Sequence, residues 1–338
     1  MYSLSSLYFR KWIIISAVIG LTLFALYSIF STNIQEVFLI IEKTNIGLLA
    51  LAFLCVLGAV IFNTLSWQNI LKNLNIKIKF RKVFDLSWVG IFIDALIPGG
   101  WSGDIFKAYL LSKDEKADGA KSAASIVIKN ILELLITLAA LITGITLLTL
   151  NYTLEGTVLI AIGTTMFLLS LPLIIIIYLA TNLKATQKLI KTLNKIITKI
   201  KKHPTNTTSL ELKINKQLEE FHDGILILKK KPKAMTRSMI FQIAAWTFDI
   251  LVLYLIFVAI NQPVGPDKVI ITNTIVVNIQ SQGVALVGFA QLVSSSIYQV
   301  LGISPLVSVT SSLLAGFASF WFKIVISFFA FQCTVFSR

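Results

Sequence analysis

The sequence predicts an all-α polytopic membrane protein, with about six full transmembrane helices and two re-entrant helical hairpins. Three observations carry that prediction. The chain has 338 residues, 56% of them hydrophobic and 14% charged, and its mean hydropathy is +0.83. Apolar runs long enough to cross a bilayer recur along nearly its whole length. The charged segments between these runs differ sharply in sign, as the positive-inside rule requires of a multi-pass chain. A soluble enzyme is excluded. Thirty Lys+Arg stand against sixteen Asp+Glu, a net charge of +14. In a membrane protein that excess sets topology and meets anionic lipid, and no aromatic-basic module points to nucleic acid.

The candidate spans are 12–30, 46–66, 122–149, 157–180, 238–260 and 306–336. Segment 1–11 carries Arg10 and Lys11, and 67–82 carries Lys72, Lys77, Lys79, Arg81 and Lys82. Segment 181–237 holds fourteen Lys+Arg and four acids. These three face the cytoplasm, whereas 31–45, 150–156 and 261–268 are acidic or neutral and face outward. Both ends of 83–111 then lie inside, and both ends of 269–303 lie outside. Neither stretch is long enough for two full spans, so each is expected to enter and leave on one face. The centre of the first is Pro98-Gly99-Gly100-Trp101-Ser102-Gly103-Asp104, and the second is broken by Gln280-Ser281-Gln282-Gly283 and Gly288. The chain thus reads as one integral membrane domain over 1–338. It holds two span–hairpin–span units, 46–149 and 238–336, of opposite orientation, the outline of an inverted repeat. Eight plain helices, two of them short, is the simpler alternative.

Segment 181–237 is the one sizeable polar piece, too short for a typical catalytic domain. It reads as two amphipathic helices around His203-Pro204-Thr205-Asn206, lying on the bilayer surface. Its lysines either capture anionic headgroups or simply hold the loop inside. His203 and His222 read as solvated side chains, and Cys55 and Cys333 as small core residues. No cofactor motif or metal cluster is expected, and no Gly-x-x-x-x-Gly-Lys-Ser/Thr loop offers ATP chemistry.

Charged groups inside apolar runs are functional candidates by default. Asp94 and Asp104 flank the Pro-Gly-Gly tip, and Lys107 follows Asp104 by one turn. Lys129 and Glu133 are four apart, on one helical face, where they can pair. Asp249 and Lys323 lie mid-span and can pair across the second unit. The tip has the clearest chemistry: a Gly-rich break followed by a helix presents free N–H groups to a phosphate. Asp104 either caps that helix or meets ligand, and Lys107 either binds a headgroup or pairs with Asp104.

The run from Asp94 through Pro98, Gly99, Gly100, Gly103, Asp104 and Lys107 to Leu111 resembles the signature of the lysylphosphatidylglycerol synthase transmembrane-region family, the flippase-like UPF0104 membrane proteins. Lys107 stands where that family commonly has Arg. The segment Ala124–Glu133 resembles its charged helix, with Asn130 in place of the usual Arg, Lys129 in place of an acid, and Glu133 retained. Gly288 and Gln291 fall where its second signature places a Gly and an acid, although the Pro-Gly-Gly of that signature is missing. The resemblance implies lipid handling at the cell membrane, with no lysyl transfer expected of this chain. Its implied substrate is an anionic phospholipid or lipid-linked phosphate that binds at the residues just named. The alternative is a non-transporting partner of an envelope-assembly enzyme.

Overall fold

The computed structural model describes residues 32–97, 102–114, 117–151, 174–189, 207–281 and 288–336, with isolated positions between 22 and 30 and at 164, 171 and 192. The described residues are helical, without a strand among them. Their starts follow local chemistry. Asn33 caps α1 (Ile34–Glu42), and the Asn45 side chain accepts from Leu48 N–H at 3.2 Å to open α2 (Ile46–Asn73). Proline, which lacks the N–H that a first turn leaves unused, opens α7 (Pro232–Ala259), α8 (Pro266–Ser281) and α10 (Pro305–Gly316).

Among the described residues four helices are long and apolar enough to cross a membrane: α2, α5 (Gly119–Asn151), α7, and the run Pro305–Thr334, which includes α10, a π turn at Phe317–Trp321 and α11 (Phe322–Phe331). The expected spans 12–30 and 157–180 fall largely outside the described residues. Between α2 and α5 lie two shorter helices, α3 (Phe80–Leu96) and α4 (Ser102–Asp114), which pack against each other as a hairpin. Between α7 and α10 lie α8 and α9 (Phe289–Val300). None of these four reaches the roughly 20 residues of a full span.

The two groups of four match element for element. Helices α2, α3, α4 and α5 have 28, 17, 13 and 33 residues, and α7, α8, α9 and the final run have 28, 16, 12 and 30. Connectors 74–79 and 260–265 are equally long and open with the same turn. Asn75 (φ 64°) and Asn261 (φ 57°) are both left-handed. Ile76 and Gln262 each donate an N–H five residues back, to the Leu71 and Phe257 carbonyls at 3.0 Å. Asparagine is among the few side chains that tolerate this backbone without large strain.

The leading helices of the two groups, α2 and α7, run antiparallel along their length. The Asn69 amide donates to the Ala234 carbonyl at 2.8 Å, Ser66 Oγ to the Ser238 carbonyl at 3.0 Å, and Asn45 N–H to the Ala259 carbonyl at 2.8 Å. Phe62 and Phe248 stack between these points with centroids 5.4 Å apart. Opposed leading helices are what an inverted repeat requires.

Two expectations about the polar segment change. Helix α6 (Thr207–Lys229) does not turn its apolar stripe to the bilayer: Phe221, Ile225 and Leu228 pack with Leu74 and Ala124 in a protein core. His222 is buried rather than solvated. Its ring nitrogens lie 2.9 Å from the Leu218 carbonyl and 3.1 Å from that of Leu179. The stripe that carries His222 finds protein to cover it, and two backbone carbonyls then replace water. His203 lies outside the described residues. Trp67 and Trp88 are buried core residues.

Gly58 fixes the approach of α2 to α7, since a Cβ there would sit 2.8 Å from the Phe248 ring. Gly58→Val should cost about 1–3 kcal/mol by overpacking, read as a lowered melting temperature in detergent. An unchanged melting temperature would contradict this packing.

Candidate functional site: a buried ion cluster beside the first hairpin

The site starts from a capping bond. Asp94, in the last turn of α3, accepts from Gly103 N–H at 2.7 Å and from Ser102 Oγ at 2.9 Å. Its carboxylate therefore satisfies donors that the first turn of α4 would leave open. Pro98, Gly99 and Gly100 lie outside the described residues. The hairpin closes so tightly that a Cβ on Gly103 would collide with the Gly90 carbonyl, and one on Gly90 would sit 2.7 Å from Lys107 Cδ. Glycine is required at 103, where a Cβ would meet backbone, and at 90 it leaves room for the Lys107 side chain.

With Asp94 as the cap, Asp104 is free for another task. It is 7% exposed and points toward α5. Lys107, one turn along α4, forms an ion pair with Asp104 Oδ1. The Asn130 amide donates to Asp104 Oδ2 at 2.7 Å, and Lys129 Nζ stands 4.0 Å from Oδ1. Lys129 in turn donates to Glu133 Oε2 at 2.9 Å, the i,i+4 pairing expected from the sequence. Lys107 also lies over the Trp67 ring, 5.2 Å from its centroid, and Trp67 Nε1 donates to Ser125 Oγ at 3.1 Å. Helices α2, α3, α4 and α5 are thus joined by one polar cluster inside an apolar wall.

The cluster opens on a cavity of about 350 Å³ lined by Asp94, Asp104, Lys107, Lys129, Asn130 and Glu133. Its far wall includes Asp249 of α7 and Lys323 of α11, whose charged atoms are 4.0 Å apart. The Lys129 side chain is 7% exposed and that of Glu133 52%. One partner of this ion pair is therefore fixed in the wall, while the other reaches into the open space. Among the described residues no group of three His, Cys, Asp or Glu is placed to hold a metal ion.

The model of the lysylphosphatidylglycerol synthase TM region family matches residues 13–327. The chain belongs to this family. A UPF0104 membrane protein of Pyrococcus horikoshii is 23% identical over 324 residues, covering 92% of this chain and 93% of that protein. One from Methanocaldococcus jannaschii is 29% identical over 239 residues, covering 69% and 68%. A third, from Methanothermobacter thermautotrophicus, is 21% identical over 264 residues, covering 76% and 77%.

In this member of the lysylphosphatidylglycerol synthase TM region family, seven of the sequence-chosen residues come together: Asp94, Gly103, Asp104, Lys107, Lys129, Asn130 and Glu133. Gly288 and Gln291 do not join them. Gly288 (φ 87°) opens α9, and Gln291 faces a separate cavity in the second unit. Capping falls to Asp94 rather than Asp104, because Asp104 is already inside the first helical turn and turns to cations. Gly90 and Trp67 were not foreseen. Gly90 is one glycine in an apolar run, and Trp67 borders the basic segment, where tryptophan reads as an interfacial anchor.

Removing the hub should be costly. Asp104→Ala leaves Lys107 and Lys129 short of counter-charge and Asn130 without its acceptor, a loss of about 3–5 kcal/mol. Thermal unfolding in detergent should show this, and Asp104→Ala with Lys107→Ala should recover part of it. Equal melting temperatures for wild type and Asp104→Ala would contradict the cluster.

Proposed function

We propose that the protein is a lipid translocator of the cell membrane that carries an anionic phospholipid or lipid-linked phosphate between leaflets. The observation that carries this reading is the unequal Lys129–Glu133 pair. Lys107 and Lys129 are each already paired with a carboxylate, so the cluster cannot take an anion without releasing one of those carboxylates. Asp104 is held by three partners, while Glu133 has one and stands in the cavity. A headgroup phosphate takes the place of Glu133 on Lys129, and Lys107 supplies a second cation nearby. Glu133, half exposed, swings outward as the phosphate enters, so Lys129 keeps one anionic partner through loading and release.

The matched helix lengths and the opposed α2 and α7 support reading the two groups as an inverted repeat whose hairpins re-enter from opposite faces. Under that reading the Gly103–Lys107 end of α4 lies at membrane depth and the cavity is reached alternately from each side. The amino terminus and residues 181–237 lie in the cytoplasm, where their positive charge holds them. The chemistry is binding and movement, with no bond made or broken.

Proteoliposomes carrying fluorescent phosphatidylglycerol or phosphatidylcholine test the reading. Wild type should move the anionic lipid, and Lys129→Ala and Lys107→Ala should each slow it at least about tenfold, the scale of a lost charge-assisted hydrogen bond. Glu133→Gln, which removes the competing anion, should retain more anionic lipid through purification than wild type. Folded wild type that moves no lipid, or movement indifferent to both lysines, would overturn the proposal.

A further inference from the structure

The second unit contains its own cavity, and its chemistry differs from the first. It measures about 290 Å³ and lies among α7, α8, α9 and the final helical run. Asp249 and Lys323, paired with each other, are the charged groups in its lining. The remaining polar lining is neutral. Thr272 and Tyr298 are 1% and 2% exposed, and Asn273 is 9% exposed. Thr272 Oγ1, Asn273 Nδ2, Gln291 Oε1 and Tyr298 Oη are all buried without a hydrogen-bond partner. Gln291 lies against Gly316, where a Cβ would be 2.5 Å from its Nε2, and the π turn at Phe317–Trp321 follows directly. Single π turns recur at functional sites because they open the regular ladder.

Four buried, unpartnered polar atoms around one cavity are costly unless something fills it. Their inventory identifies the filler. Two hydroxyls can donate or accept, one amide N–H donates, and one amide oxygen accepts. An acyl chain would leave all four unsatisfied. A phosphate or an ammonium group would find no free opposite charge, because Asp249 and Lys323 neutralise each other. A cluster of hydroxyls, each both donor and acceptor, satisfies the set.

The two cavities share a wall. Asp249, Val277 and Lys323 line both. An occupant of the first cavity therefore has its neighbouring atoms beside the second. The volume is at the small end for a ligand pocket, suited to part of a headgroup rather than a whole lipid.

We propose that the second cavity binds the uncharged, polyhydroxylated part of a lipid headgroup whose phosphate occupies the first. This rests on the phosphate reading of the Lys107–Lys129 cavity and adds the substrate class: a phosphodiester lipid bearing a neutral polyol or sugar. Asp249 and Lys323 form the boundary across which the headgroup lies.

Phosphatidylinositol and phosphatidylethanol with identical acyl chains separate the two sites. Both carry one phosphodiester charge, and they differ in the hydroxyls. Competition between them for the purified full chain in detergent, read by native mass spectrometry, should favour phosphatidylinositol about tenfold, the order expected of two satisfied buried hydrogen bonds. Thr272→Val with Tyr298→Phe should abolish that preference. Lys129→Ala should weaken retention of both lipids alike. Tyr298→Phe alone keeps the ring against Phe257, with centroids 4.9 Å apart, and should reduce the preference in the same direction if the double variant fails to fold. Equal retention of the two lipids by wild type, sensitive to Lys129, would mean that the second cavity holds water only and would overturn this proposal while leaving the phosphate site standing. Retention of neither lipid would overturn both.

Discussion

A charge buried among apolar helices must be neutralised where it stands, and the arrangement of the first group of helices follows from that constraint. Asp104 is the hub. One carboxylate on α4 gathers Lys107 from its own helix and Asn130 and Lys129 from α5, and through Lys129 it reaches Glu133. Any displacement of α4 along α5 would strand at least one of these groups. The ions therefore fix register more than they add stability, because buried pairs recover little beyond their own desolvation cost. The apolar contacts of Leu111, Val89, Leu86 and Leu71 supply the bulk of the packing around them. Gly90 and Gly103 are the steric counterpart, since only without side chains can α3 come close enough for Asp94 to cap α4.

The two units share a plan and differ in chemistry. Element lengths and the Asn75 and Asn261 turns repeat, and α2 and α7, the leading helices, meet antiparallel. Their polar residues do not. In the first unit a carboxylate on the second hairpin helix meets an amide on the following span. In the second, Gln291 on α9 meets Gly316 on the following helix. Replacing a carboxylate by an amide removes the need for buried lysines, and the second unit accordingly surrounds its cavity with hydroxyls and amides. The two groups of helices thus share a backbone frame while their cavities differ, one ionic and one neutral, on either side of the Asp249–Lys323 pair.

Much of this was legible in the sequence, for identifiable reasons. Hydropathy locates long spans because every residue of a buried helix contributes to the same signal, so α2, α5 and α7 appear where the apolar runs do. The two pairs of short helices were legible from length, since 83–111 and 269–303 are apolar yet too short for two full spans each. Lys129 and Glu133 were legible from helical spacing alone. Contacts between elements were not. Nothing local distinguishes Asp94 from Asp104 as the cap, because the choice depends on how α3 crosses α4. The burial of α6 and His222 was hidden for the same reason: an amphipathic stripe fits protein and bilayer surface equally well, and only the position of Leu74 and Ala124 decides. Gly90 and Trp67 carry signals that belong equally to packing and to membrane anchoring.

The account turns on an anion exchange in which a headgroup phosphate replaces Glu133 on Lys129. Glu133→Cys, in a chain with Cys55→Ser and Cys333→Ser, puts a thiol where the phosphate is to sit and reports occupancy of that place directly. The rate at which a negatively charged, membrane-impermeant thiol reagent modifies it is measured in sealed vesicles, first of phosphatidylcholine alone and then with phosphatidylglycerol added. The exchange predicts ready modification in the neutral vesicles and strong protection once anionic lipid fills the cavity. Identical rates in the two membranes, or no modification in either, would contradict it.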